Sequence, residues 1–330
     1  MEPALHATTR NQLLDALLQR LITHFEQAFP GRIRAYYLGG SYSDGTAVGN
    51  DTSPNSSDVD LFVIFRGVVT EDETASFQRL LAQYQQASPI QVDAHAYSED
   101  DLLGKSGRDA PQTSFMNALI REASVLIYGD NLRKELPAIP FSHYVLDVIE
   151  SGIFHIGIPR QQISLAYPLP APLSYPLTYP DPAGEFYGYE AVPARPGAPR
   201  GTRVLVALTA WVATFILALE TGHFAGQKSQ SIRLCKQYLP HDWRVQLAAT
   251  INDFCKGTWR YTLPDQSEDR EQLRSLCQQT LALENEYLRL VHDYLLTSLQ
   301  HSDAYEKGQI DRILQSVIYQ DKEQFNLYLG

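Results

Sequence analysis

The sequence predicts an α+β protein: a mixed-sheet N-terminal domain followed by an all-α helical bundle domain. Short strand-like apolar runs alternate with helical periodicity through residues 1–155. A stretch dense in proline and tyrosine then breaks the pattern at 159–201. Beyond it, almost every segment repeats apolar residues at helical spacing. These changes divide the chain into 1–155, a Pro/Tyr-rich linker or insertion at 156–200, and 201–330.

In the first part, Leu14, Leu17, Leu18, Leu21, Ile22 and Phe25 lie on one face of a helix over 11–29, stopped by Pro30-Gly31. Residues 33–38 form a strand that runs into Gly39-Gly40-Ser41. The loop 42–57, rich in Gly, Asn, Asp and Ser, is expected to be irregular and mobile. A strand at 59–65, a helix at 71–87 and a strand at 90–97 follow, then helices over 111–128 (closing at Gly129) and 141–152. The prolines of 159–201 cannot sustain regular backbone hydrogen bonding, so this segment reads as a crossing between domains, and the aromatics of 159–190 read either as linker packing or as a substrate wall. Helices are expected at 202–220, 231–239, 243–255, 268–299 and 311–328.

A length of 330 residues suffices for two ordinary cores, and 44% hydrophobic with 20% charged residues is a soluble globular composition. The net charge of -11 lacks the basic footprint of a nucleic-acid binder, and it suits a cationic substrate. Cys235, Cys255 and Cys277 are scattered, odd in number and without metal-ligand spacing, so they read as core thiols in a reducing compartment. No signal-peptide pattern opens the chain, and the expected location is cytoplasmic. The most apolar run, 204–219, is shorter than the ~20 residues of a membrane span. Thr209 and Thr214 interrupt it, so it reads as a core helix with no membrane partner. Composition says nothing of the oligomeric state.

The chemistry concentrates at 37–97. On a strand alternate residues share a face, so Asp58 and Asp60 project together while Leu61, Val63 and Phe65 take the other side. Two carboxylates on one face repel unless a cation lies between them, and Mg2+ suits carboxylate and phosphate oxygens alike. Asp93 stands mid-strand, where acids are disfavoured, on the face of Gln91, His95 and Tyr97. It reads either as a third metal ligand or as a general base for a substrate hydroxyl, with His95 a partner or bystander. Gly39-Gly40-Ser41 lets backbone N–H groups approach a phosphate closely and adds a hydroxyl donor.

The order strand, Gly39-Gly40-Ser41, Ser57-Asp58-Val59-Asp60, strand, helix, strand with Asp93 resembles the polymerase-beta-like nucleotidyltransferase superfamily. The resemblance implies a nucleotidyltransferase fold in which Gly40 and Ser41 hold the triphosphate of ATP. It further implies Mg2+ on Asp58 and Asp60, with Asp93 as the third acid. The loop between Ser41 and Asp58 is longer than in compact members.

The later chain narrows the branch. Thr221-Gly222, Lys228, Trp243, Trp259-Arg260-Tyr261 with Leu263-Pro264, and Leu283-Glu284-Asn285-Glu286-Tyr287-Leu288 look like the helical domain of streptomycin/spectinomycin-type aminoglycoside adenylyltransferases. Tyr128-Gly129 fits the same group. Lys228 stands just before a serine-rich helix start, where the helix dipole disfavours a cation and favours an anion beside it. In the resembled family a lysine here reaches across the interdomain cleft to the nucleotide phosphates. The implied function is antibiotic-resistance chemistry: transfer of AMP from ATP to a hydroxyl of a small, cationic acceptor such as an aminoglycoside, releasing pyrophosphate. Two other readings stay open: a non-catalytic, antitoxin-like module of the same fold, and an adenylyltransferase acting on a protein.

Overall fold

In the computed structural model of this protein, four short strands pair into one sheet: β1 (Ile33–Leu38), β2 (Val59–Phe65), β3 (Val92–Ser98) and β4 (Val125–Gly129), in the order β3-β2-β1-β4. The structure describes residues 3–9, 11–48, 57–88, 90–107, 113–161, 172–178, 184–190, 199–321 and 323–329. They form two compact units: Met1–Pro140 with Ala225–Gln230, and Phe141–Phe224 with Ser231–Gly330.

The first unit holds the sheet. β1 is antiparallel to both β2 and β4, while β2 and β3 are parallel. One sheet face is covered by α1 (Gln12–Ala28) and α3 (Glu71–Ala87). The six α1 residues expected on its apolar face are all buried, together with Phe77 and Leu81 of α3 and Leu61, Val63, Phe65, Val92 and Ala94 of the strands. Each such large side chain stabilises the fold by about 1.5–3 kcal/mol. Asn11 caps α1 by accepting from Leu13 and Leu14 N–H groups, and Thr70 and Glu73 form a reciprocal capping box on α3.

The helix expected over 111–128 is instead α5 (Thr113–Glu122) followed by β4. The run Val125-Leu126-Ile127-Tyr128 has strand character, and pairing it with β1 satisfies backbone groups that β1 would otherwise leave open. Two helices are single turns: α2 (Gly40–Asp44), which follows β1, and α4 (Glu99–Leu102), which follows β3. The stem of the 42–57 loop is tied: Ser57 N–H donates to Val48 O at 2.8 Å, and Val48 N–H to Ser57 Oγ at 2.9 Å. The loop expected over 42–57 begins inside α2, which runs to Asp44, and its residues 49–56 lie outside the described residues.

The second unit is helical, with α6 (Phe141–Gln161), α7 (Arg203–Thr221), α9 (Trp243–Ile251), α10 (Ser267–Leu299), α11 (Ala304–Ser316) and α12 (Glu323–Leu329). The boundary at 155 expected from sequence thus falls inside α6. α8 (Lys228–Tyr238) begins in the first unit and continues here, and α9 runs on into a π-helical turn at Asn252–Thr258. α7 is long and apolar enough to cross a membrane, but most of it is buried within this unit, where it packs on α6 and α9. Thr209 and Thr214 return their hydroxyls to carbonyls one turn back, as buried helical threonines must.

A helix over 311–328 is not continuous. β6 (Val317–Tyr319) interrupts it and pairs in parallel with β5 (Leu173–Tyr175), which comes from the Pro/Tyr-rich stretch. That stretch is therefore partly a packed element. Glu284, fully buried, pairs with Arg160 and accepts from Tyr189 Oη at 2.7 Å. Asn285 exchanges two hydrogen bonds with the Leu177 backbone. Residues 162–171, 179–183 and 191–198 lie outside the described residues.

Candidate active site

Asp60 and Asp93 are direct register partners on the parallel strands β2 and β3. Leu61 and Val63 beside Asp60, and Val92 and Ala94 beside Asp93, are buried under the helices, so strand alternation turns both acids to the opposite face. Asp58 enters two residues before Asp60. One carboxylate oxygen from each of the three acids lies within 4.8 Å of the other two. Three carboxylate oxygens at that spacing are compatible with a hard divalent cation.

Their electrostatics differ. Burial pushes the Asp60 carboxyl from its ordinary 3.8 to about 7, and the neighbouring Asp58 charge adds to this while Lys228 opposes it. On Asp93 burial also acts upward, yet it is outweighed by His95 and by the Lys228 charge, which hold the carboxyl below its ordinary range. His95 Nε2 lies 3.0 Å from Asp93 Oδ1, and both side chains are 49% exposed. Burial lowers the His95 pKa less than this bond and the Asp93 charge raise it, so its net shift is upward.

Gly39-Gly40-Ser41 is the start of α2 rather than an open turn. Gly39 N–H donates to Asp60 O at 2.9 Å. A Cβ on Gly39 would stand 2.4 Å from the Phe62 ring, and one on Gly40 would stand 1.7 Å from Asp60 Oδ2. The glycines expected to admit a phosphate are thus first required for this backbone to pass over β2.

Lys228 is the first residue of α8, rather than the residue before it. Its segment, Ala225–Gln230, belongs to the first unit although it lies far along the sequence. Gly226 makes the docking close: a Cβ there would meet Leu119 Cα at 2.7 Å and Ala123 Cβ at 2.8 Å. The Lys228 charge acts on both Asp60 and Asp93.

The structure therefore gathers Gly40, Asp58, Asp60, Asp93 and Lys228. It adds residues that the sequence reading set aside or did not single out. His95 carried a signal, since it shares the Asp93 face at period two. Asp44, Gln227 and Ser229 carried none: Asp44 Oδ2 accepts from Gln227 Nε2 at 3.1 Å and from Ser229 Oγ across more than 180 positions of chain. A cavity of about 540 Å³ along β3 and α3, lined by Thr70, Glu71, Tyr97 and Asp101, includes none of the gathered residues.

No family model and no curated protein matches this chain. Among solved structures it is similar to spectinomycin adenyltransferase AAD(9) from Enterococcus faecialis, determined with ATP and spectinomycin. The identity is 14% and the TM-score 0.44, over 82% of this chain and 98% of that one.

Proposed function

We propose that this protein is a nucleotidyltransferase. Within that class it is an adenylyltransferase that moves AMP from ATP to a hydroxyl of a small, cationic acceptor such as an aminoglycoside, releasing pyrophosphate. The observation that supports this most is the register pairing of Asp60 with Asp93, with Asp58 beside them and the Lys228 charge on the same pair.

Asp58 and Asp60 are the residues to hold Mg2+, which when bound supplies charge neutralisation on the phosphates. The raised pKa of Asp60 fits such an ion, because a dication favours the ionised carboxylate against the burial, and the lesser Asp58 repulsion, that raise it. Gly40 and Ser41 present backbone N–H and hydroxyl donors to the triphosphate, Gly39, whose own N–H is taken by Asp60 O, shapes the turn beside it, and Lys228 offers an ammonium. Asp93, the exposed acid, accepts the proton of the acceptor hydroxyl while His95 orients its carboxylate. The net charge of -11 supports a cationic acceptor and argues against a nucleic-acid partner. A purely binding module has no need to hold three carboxylates together at this electrostatic cost, so the antitoxin-like reading is disfavoured.

The test is pyrophosphate release from ATP with Mg2+ and a panel of aminoglycosides, beside the Asp60→Asn variant. Release that depends on both acceptor and Asp60 supports the reading. Turnover undiminished in Asp60→Asn removes the metal role, and no turnover with any acceptor removes the substrate class.

A further inference from the structure

We infer that Asp44 is a positioning residue for Lys228: the carboxylate at the end of α2 grips the residues on both sides of the lysine and sets its ammonium relative to Asp60. The inference deepens the nucleotidyltransferase reading and rests on it for the ligand that Lys228 meets.

The carboxylate is itself oriented at both oxygens. Asp44 Oδ1 accepts from Thr46 N–H at 2.9 Å and Thr46 Oγ1 at 2.7 Å. Asp44 Oδ2 takes Gln227 Nε2 at 3.1 Å and Ser229 Oγ. Gln227 is held a second time, because its Oε1 accepts from Ser43 Oγ at 3.4 Å, and Ser43 Oγ also bonds Gly40 O at 2.7 Å. One five-residue helix thus carries the turn that abuts Asp60 at its start and the grip on the lysine segment at its end.

An acid suits this place for two reasons. Hydrogen bonds to a carboxylate are about twice as strong as neutral ones. A negative group beside the first turn of α8 also offsets the unfavourable position of a lysine there. Lysine has a long, flexible stem, so its ammonium is placed only as well as its backbone is. Bonds at 227 and 229 fix that backbone on either side.

The experiment uses the full chain as wild type, Asp44→Ala, Lys228→Ala, the double variant and Asp44→Asn, each checked for native far-UV circular dichroism. Amide hydrogen exchange at 226–230 and calorimetric binding of ATP with Mg2+ are measured. Asp44→Ala is expected to raise exchange in this segment by about tenfold or more. It should weaken ATP by about tenfold in wild type and by less than about twofold in the Lys228→Ala background. Asp44→Asn, which keeps one oxygen acceptor but not the charge, should recover part of both. Exchange unchanged in Asp44→Ala overturns the inference, as does an equal loss of affinity in both backgrounds. If the wild type binds no ATP, the nucleotidyltransferase reading fails, and the exchange measurement still decides whether Asp44 holds the segment.

Discussion

A Cβ atom on Gly40 would lie 1.7 Å from Oδ2 of Asp60, and Gly40 has φ +61°, a region that side chains rarely adopt. The two residues are therefore a matched pair: the turn approaches the acid as closely as a backbone can. Gly40→Ala must move either the turn or the carboxylate, and it adds left-handed strain of about 1–3 kcal/mol. The expected result is a folded protein with a lowered melting temperature and ATP-dependent turnover reduced by about a hundredfold. Steady-state kinetics with thermal unfolding checks this, and unchanged turnover would contradict the close approach.

Asp60 predicts a link between pH, metal and stability. Its folded pKa is raised to about 7 from 3.8, so its neutral form is the one the fold favours. That contribution is full below the ordinary carboxylate range and is lost as pH rises through about 7. In chelator, the melting temperature should fall between pH 4 and pH 7 in part because of this residue, and Asp60→Asn should flatten the fall. Added Mg2+ should restore stability most at high pH. Below pH 7 its affinity should rise by up to about tenfold per pH unit, as one proton is released per ion. Scanning fluorimetry across pH, with and without Mg2+, measures all three.

Much of this site was legible because strand alternation is a strict code. Once Leu61, Val63 and Phe65 are assigned to a core, Asp58 and Asp60 have only one face left. The same argument turned Asp93 outward and left His95 beside it. The pairing of Asp60 with Asp93 was not legible, since register depends on how β2 and β3 are joined through α3. β4 escaped notice because a four-residue apolar run after a helix has no periodicity of its own to separate strand from helix. β5 and β6 are three residues each, too short to leave a pattern. The Asp44 contacts join side chains 183 and 185 positions apart, and no local rule reaches that far.

The Asp93–His95 bond predicts a titration. His95 is raised above its ordinary 6.5 chiefly by Asp93, against the opposing effect of burial. Its pairing therefore stabilises the fold fully below 6.5 and ceases to do so as pH rises through the raised value. Followed by NMR, the His95 midpoint should lie above 6.5 in wild type and fall in Asp93→Asn. With both groups half exposed, Tm should change little in Asp93→Asn. A midpoint unmoved by Asp93→Asn would remove the pair.

Gly226 makes a separate prediction about how Lys228 is delivered. The atoms a Cβ would strike include Leu119 Cα and Ala118 O of α5, which are backbone and cannot swing aside. Gly226→Val should lift the segment from α5 while leaving the sheet core intact. The expected result is a reduction in kcat/KM for ATP of about a hundredfold, as for a displacement of about 1 Å. The stability loss should be about 1–3 kcal/mol. Kinetics at wild-type level would show that the segment need not sit against α5.

The second unit offers a prediction independent of any activity. Glu284 is fully buried and is answered by Arg160, 13% exposed, and by the Tyr189 hydroxyl. Burial raises its pKa, and the Arg160 charge and both hydrogen bonds pull it back, so the ion pair balances a large desolvation cost. Removing one partner does not return that cost, because the other charge stays enclosed. Glu284→Ala should therefore destabilise the protein by about 3–5 kcal/mol, more than its lost contacts alone. Replacing both Glu284 and Arg160 with leucine or methionine of similar volume should recover a large part of the loss. Chemical denaturation of the three proteins measures this: a double variant no better than Glu284→Ala would mean that shape, not charge balance, holds residues 184–190 against α10.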